Sequence, residues 1–414
     1  MSLIVAKFGG TSVANIPAIE NVAEKIAKEA ENGHHIAVVV SAMAGVTNQL
    51  VEYCHDISPM HDAREYDAIV SSGEQVTAGL LALALQKRGF SARSWLGWQV
   101  PLRTNDIHAK ARIEEIETDH LKQRLEQNEI AILAGFQGIT DQNRISTLGR
   151  GGSDTTAVAL AAALGADRCD IYTDVKGVYT TDPRIEAKAK MLPEISYEEM
   201  LEMASVGAKV LQTRSVEMAM KERVSVQVLS SFEDPVGSDL PGTLLVDEGH
   251  VMEKQVVNSV TYSRDDAKIT LRNVPDIPGI AAKVFGPLAE AAINVDVIVQ
   301  NISPDDRSTD MTFTVPVNEL DAALKVLDDL KNDLGSDMDI ISSTDLVKIS
   351  VIGIGMRSHA GVAQTMFQAL SDKGINIQLI STSEIKVSVL IDEDYLELAI
   401  RALHSAYGLD DDTE

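Results

Sequence analysis

Apolar positions in the first 245 residues follow two alternating periods. Short β-branched runs at residues 3–8, 36–40, 130–134, 169–173 and 226–229 read as buried strands. Longer stretches between them carry helical spacing. Residues 16–31 place apolar side chains at 19, 22, 23, 26, 27 and 30, and 73–85 and 154–164 predict two more helices. Gly165 is a natural C-cap for the last of these. Strands alternating with helices predict an α/β domain with a mainly parallel sheet. Pro235, Gly237, Pro241, Gly242 and Gly249 then punctuate the chain, as a loop leading out of that domain would.

The pattern beyond this loop occurs twice. Residues 278–288 (Pro-Gly-Ile-Ala-Ala-Lys-Val-Phe-Gly-Pro-Leu) align with 360–370 (Ala-Gly-Val-Ala-Gln-Thr-Met-Phe-Gln-Ala-Leu), and Ile293-Asn294-Val295 falls on Ile375-Asn376-Ile377. A β run precedes each glycine, at 268–274 and 347–352, and a strand, a further strand and a helix follow each triplet. The shared unit is β-loop-α-β-β-α-β, a ferredoxin-like module. An inert duplication and a pair of ligand-binding modules both fit this periodicity. The expected division is 1–245, a joining strand and linker at 246–263, and modules at 264–343 and 344–414.

A chain of 414 residues with 45% hydrophobic and 24% charged side chains suits a multidomain globular protein. Its net charge of −26 repels nucleic acid and anionic membranes, which excludes both as partners, and makes any anion site depend on local Lys, Arg and backbone N–H groups. Cys54 and Cys169 have no metal-type spacing and read as reduced thiols. The N-terminus lacks a basic region followed by a long apolar stretch, and no apolar run was found that approaches the ~18 residues of a membrane span, so the expected location is cytoplasmic.

Four glycine- or hydroxyl-rich runs follow predicted strands or lead into a helix. Lys7-Phe8-Gly9-Gly10-Thr11-Ser12 ends the first strand; two glycines let backbone approach an oxyanion and the lysine adds charge, although a plain turn fits a lone Gly-Gly as well. No P-loop pattern occurs. Ser41-Ala42-Met43-Ala44-Gly45-Val46-Thr47-Asn48 leaves the second strand. Gly149-Arg150-Gly151-Gly152-Ser153-Asp154 runs into a helix and aims its dipole at an anion, unless Ser153 and Asp154 are only caps. The fourth run, residues 172–184, has Gly177, an Asp182-Pro183 step and Tyr172 and Tyr179, as a long binding loop would. Ligands of open α/β sheets bind at the carboxyl ends of strands, so the runs point to phosphoryl transfer.

Together with Ser71-Ser72-Gly73-Glu74-Gln75 and Gly135-Phe136-Gln137-Gly138, these runs resemble, in order, the aspartokinase family of the amino-acid-kinase fold. The resemblance covers essentially the whole chain, the repeats resembling that family's tandem ACT domains. It implies ATP-dependent phosphorylation of the side-chain carboxylate of L-aspartate. Lys7 would neutralise phosphoryl oxygens, the amides of Gly9 and Gly10 would bond them, and Asp154 would hold the lysine. No general base is required, because the acceptor carboxylate is ionised near neutral pH. Glu74 matches the position pairing with the substrate ammonium, with a solvated acid at a helix start as the plain alternative. Thr47 and Arg150, with Gly151, Gly152 and Ser153, match the contacts to its carboxylates. Phe8, Ser41, Thr173, Asp174, Tyr179, Asp182 and Arg184 match nucleotide positions, and Lys209 a second lysine near the phosphates. Many relatives have His-Pro after Leu211, where this chain has Gln212-Thr213. Mg²⁺ should accompany ATP, carried by phosphates and water.

For the repeats the resemblance implies amino-acid effectors, lysine and threonine, at interfaces between modules. The matching positions are Asp276, Gly279, Ile280, Ala281, Asn294, Val295, Asp296 and Gln300 in the first repeat. Asn376, Ile377, Ser381, Thr382, Ser383 and Glu384 match in the second. Asp296 aligns with Gln378, so two unlike sites are expected. With the chain ending at Glu414, no fused homoserine dehydrogenase is expected. A homo-oligomer is expected, or a heterotetramer with a regulatory chain started at Met252. Rival readings are an amino-acid kinase with another acceptor (glutamate, acetylglutamate, carbamate or UMP) and a non-catalytic amino-acid sensor.

Overall fold

The computed structural model describes residues 2–208, 210–233, 236–239, 242–250, 256–302, 308–334 and 338–410. Lys209 and Met252 lie outside the described residues. The chain divides into two compact units, residues 1–179 with 191–252, and 180–190 with 253–414.

The first unit is built on an eight-stranded sheet. Its strands run, in spatial order, Glu194–Ser196, Thr243–Val246, Val226–Ser230, Arg168–Thr173, Leu3–Phe8, His35–Val40, Ile130–Ala134 and Ala92–Trp95. Leu3–Phe8 pairs in parallel with both neighbours, Lys7 lying opposite Val39 on one side and Ile171 on the other. All five expected strands form, each within a residue of its expected bounds. The β-branched runs bury both faces, as a sheet covered by helices demands. Helix Ile16–Glu31 is capped by the Asn15 side chain, which accepts from the Ala18 N–H, and it lays Ile19, Val22, Ala23 and Ile26 on the sheet. Phe8 and Tyr172, on adjacent strands, stack at 4.5 Å between ring centres.

A second, four-stranded sheet was not anticipated: Ile113–Ile116, Leu102–Thr104, Gln137–Thr140 and Ile145–Thr147. Strands of three or four residues are too short to show alternation. The helices Ala63–Val70 and Ser72–Lys87 also change the sequence reading. Together they form a stretch long and apolar enough, by length and composition alone, to cross a membrane. Ala78, Leu81 and Leu85 of this stretch are buried in the sheet's core.

In the second unit the first repeat forms the expected module. Asp266–Pro275, helix Ile280–Glu290, Asp296–Ile302, Ser308–Pro316, helix Leu320–Leu334 and Asp339–Ser343 make one antiparallel sheet with two helices. The second repeat departs from it. Its last helix, Leu396–Ala406, leads to no fourth strand among the described residues; the fourth strand is Ser259–Ser263, from before the first repeat, antiparallel to Leu346–Ile352. Ser-Val-Thr-Tyr-Ser is a good strand sequence, and nothing comparable follows residue 406.

Residues 180–190 also belong to this unit. The Val260 N–H donates to the Thr180 carbonyl (2.7 Å), Tyr262 Oη to Asp182 (3.1 Å) and Arg401 Nε to the Ile185 carbonyl (3.1 Å). Ile185 packs against the core around Val260 and Ile349.

Candidate functional site

Strand Leu3–Phe8 is the point where the strand order reverses, since the chain continues to His35–Val40 on one side and returns to Arg168–Thr173 on the other. The crevice at the carboxyl end of such a strand is where open sheets bind ligands. Loops after four parallel strands meet here, and glycines set how closely. A Cβ on Gly10 would lie 3.0 Å from the Ala42 carbonyl oxygen, one on Gly73 2.7 Å from the Ala42 Cβ, and one on Gly135 2.9 Å from Ser153 Oγ. Ser12 Oγ and Ser231 Oγ are 2.5 Å apart and tie the first loop to the loop after Val226–Ser230.

Lys7 reaches back over this crevice. Its Nζ is 2.5 Å from Asp154 Oδ1, and both side chains are about one-tenth exposed (11% and 10%). Asp154 stands in the first turn of helix Gly152–Leu164, where the helix dipole favours a carboxylate. A Cβ on Gly9 would come 3.3 Å from the Lys7 ammonium.

Glu74 occupies the first turn of helix Ser72–Lys87 and is buried. The Ala42 N–H donates to its carboxylate, yet burial dominates and pushes its pKa from 4.5 up to about 7. Its Oε2 has no hydrogen-bond partner. A buried carboxylate with a free oxygen beside a glycine cradle is poised for a cation.

Gly149 and Gly151 both have left-handed backbone (φ +78° and +72°) and flank the exposed Arg150. Gly151 is the N-cap of helix Gly152–Leu164, and a Cβ there would collide with the Gln212 side chain. Thr47 lies in the first turn of helix Val46–Ile57, and Ser41 immediately follows its strand. Thr173 Oγ1 donates to Asp174 at 3.1 Å.

The structure therefore gathers most of the expected residues in the first unit: Lys7, Gly9, Gly10, Ser41, Thr47, Glu74, Arg150 to Asp154, Thr173, Asp174 and Tyr179 all lie on it. Asp182 and Arg184 fall outside that unit. They lie on the excursion that belongs to the second unit, where Asp182 accepts from Tyr262 and from Arg184, the guanidinium first among the causes that lower its pKa.

The effector positions lie on the second unit. Gly279 (φ +87°) caps helix Ile280–Glu290, and Ser381 and Thr382 end strand Leu379–Thr382. Lys348 Nζ, itself buried, is 2.9 Å from Asp296 and 3.0 Å from Asp266, and Lys268 Nζ donates to Gln378 at 2.6 Å. Each lysine thus spans from one module to the residue after the other module's Ile-Asn-hydrophobic triplet. The aligned pair 296 and 378 is engaged in the structure by an ion pair at one site and a neutral amide at the other.

Several residues of the site were missed from sequence. Asp67, His108, Thr147 and Arg214 all brace its loops, and none sits in a glycine-rich run that could flag it.

Comparison with known proteins supports the family expected from these loops. The amino acid kinase family profile matches residues 2–230, and ACT domain profiles match 269–332 and 349–407. An aspartate kinase of Stutzerimonas stutzeri is 53% identical over 99% of this chain and 98% of its own length; an aspartokinase of Mycolicibacterium smegmatis is 44% identical over 100% and 98%. The crystal structure of E. coli aspartokinase III in complex with aspartate and ADP superposes with a TM-score of 0.80, at 28% identity, covering 98% of this chain and 99% of that one. The chain belongs to the aspartokinase family, an amino acid kinase domain followed by two ACT domains.

Proposed function

We propose that the protein transfers the γ-phosphoryl group of ATP to the β-carboxylate of L-aspartate, giving 4-phospho-L-aspartate and ADP. The observation that carries this reading is Glu74: a buried carboxyl group with one unpartnered oxygen, hydrogen-bonded to the loop that lies against Gly10. An amino-acid ammonium supplies the missing partner. Arg150, held between two left-handed glycines, suits bidentate pairing with a carboxylate. Thr47 and the helix start at Gly151 to Ser153 complete the acceptor side.

Lys7, with the amides of Gly9 and Gly10, neutralises the γ-phosphoryl oxygens, and Asp154 fixes the lysine. Phe8, Ser41, Thr173, Asp174 and Tyr179 hold the nucleotide; Lys209, in the resemblance, adds a second cation. The acceptor oxygen is already ionised, so the residues act by placement and charge rather than by moving a proton. Mg²⁺, carried by the phosphates and water, supplies further charge neutralisation.

The aspartate kinase names of the relatives and the aspartate and ADP in the E. coli enzyme support the same reading. A coupled ADP assay with aspartate, glutamate or no acceptor tests it, with hydroxylamine trapping of the acyl phosphate. ADP release dependent on aspartate is expected; turnover with glutamate only, or without acceptor, would overturn the proposal.

Lysine and threonine as feedback effectors in the ACT domains, flux towards lysine, threonine and methionine, a cytoplasmic location and a regulatory chain begun at Met252 are the finer parts of the proposal. A complex of the E. coli enzyme with lysine and aspartate supports the first of these for lysine. Mass spectrometry of protein made from its native translation signals tests the last.

A further inference from the structure

Asp67 has no exposure to solvent, and its carboxylate is saturated with donors. His108 Nδ1 lies 2.7 Å from Oδ2, Thr147 Oγ1 donates to Oδ1 at 2.5 Å, and the Ala109 N–H reaches both oxygens at 3.1 Å. Three elements converge on this one anion: helix Ala63–Val70, the loop after Leu102–Thr104, and the end of strand Ile145–Thr147. Buried carboxylates are retained when their bonds fix something.

What these bonds fix is the approach to Arg150. Thr147 ends the strand, and Leu148, Gly149 and Arg150 follow directly. Ala109 adopts left-handed backbone (φ +63°), which an alanine takes only when held there, and the carboxylate holds it through its N–H. In this conformation the Ala109 carbonyl lies where a Cβ on Gly149 would be 3.0 Å away, so the loop backs directly onto Gly149. From the other side Arg214 clamps the same segment, donating to the Leu148 and Ala111 carbonyls at 2.7 and 3.0 Å.

We infer that Asp67 is a positioning residue for the acceptor substrate: its buried carboxylate, through Ala109, His108 and Thr147, sets the loop that presents Arg150. This rests on the proposed acceptor role of Arg150. The catalytic pair is braced separately. The Thr156 hydroxyl accepts from the Phe136 N–H at 3.1 Å, and Gly135 packs on Ser153, so the helix carrying Asp154 keeps its seat without Asp67. Loss of Asp67 therefore moves acceptor affinity more than turnover or nucleotide affinity.

The experiment is steady-state kinetics of full-length wild type and Asp67→Asn, varying aspartate and ATP in turn, with melting curves to confirm folding. Asparagine keeps the shape but cannot serve three donors as an anion does. The aspartate KM should rise roughly ten- to hundredfold, as for a displaced binding group, with the ATP KM near the wild-type value. An unchanged aspartate KM in folded protein, or equal rises in both KM values, would overturn the inference. Should Asp67→Asn fail to fold, Thr147→Val decides instead: a selective severalfold rise in aspartate KM supports the role, and an unchanged one refutes it. Wild type that phosphorylates a different amino acid would sink the aspartate assignment alone, and the same KM comparison would then be made with that acceptor.

Discussion

Under the proposed acceptor role, Glu74 should make aspartate binding dependent on pH, with a size that follows from its burial. With a carboxyl pKa of about 7, roughly one molecule in eleven carries the carboxylate at pH 6 and about ten in eleven at pH 8. If the substrate ammonium pairs only with the ionised form, the aspartate KM should fall about tenfold from pH 6 to pH 8. Aspartate keeps its own charges across that window, so the profile belongs to the enzyme. The same burial has a stability consequence. A folded pKa above the ordinary 4.5 means that Glu74 contributes stability fully below pH 4.5, and this contribution is lost as pH rises through about 7. The difference amounts to about 3 kcal/mol. Glu74→Gln should therefore melt higher than wild type at pH 8 without ligand, while binding aspartate weakly at every pH. The assay is KM for each substrate across pH 6–8 in both proteins, beside calorimetric melting. A flat aspartate profile in wild type, or the same slope in the ATP KM or in Glu74→Gln, would refute the reasoning.

Lys7→Ala should fold normally and lose about 10²–10³ in turnover, since the ammonium acts on charge in the transition state; single-turnover phosphoryl transfer measures it, and near-normal kcat would remove Lys7 from its role. Lys348→Met strands the largely buried Asp266 carboxylate, whose Oδ2 already lacks a partner. Breaking such a pair costs ~3 kcal/mol, seen by calorimetry as a fall of roughly 6–12 °C in the melting of the second unit. Thr382→Ile should keep activity but weaken inhibition by lysine, threonine or both, read from inhibition curves at fixed aspartate and ATP. Unchanged curves would place the effector pocket elsewhere.

The fold of the first unit was legible where burial on both faces forces a continuous apolar run. Residues 36–40 and Ile130–Ala134 are such runs, and they form as expected. The small sheet was not legible, because strands such as Leu102–Thr104 take their pairing from tertiary neighbours. The second module hid a different fact. Its helix and strand signals are local, but the strand that completes its sheet comes from Ser259–Ser263, on the far side of an intervening module, and periodicity carries no information about which distant segment fills an edge.

The candidate site divides in the same way. Glycines and the residues beside them are readable, because close approach and left-handed backbone leave few alternatives; Gly149, Gly151 and Gly10 each show that constraint in the structure. Charges that act by burial are not readable from composition or periodicity, and Glu74 was singled out only through the family resemblance. Asp67 and Glu74 are seven positions apart in one helical stretch, and composition cannot separate the saturated carboxylate from the one with a free oxygen. Only the donors around them do so, and those come from residues 42, 108, 109 and 147. Asp182 and Arg184 show a different limit of the motif. They continue the nucleotide-loop motif without a break, yet between Tyr179 and Thr180 the chain passes from one compact unit to the other. The Thr180 hydroxyl then meets His404 at 2.9 Å, 224 residues away in sequence. Adjacency in a motif fixes the path of the backbone, and leaves open which compact unit each side chain packs in.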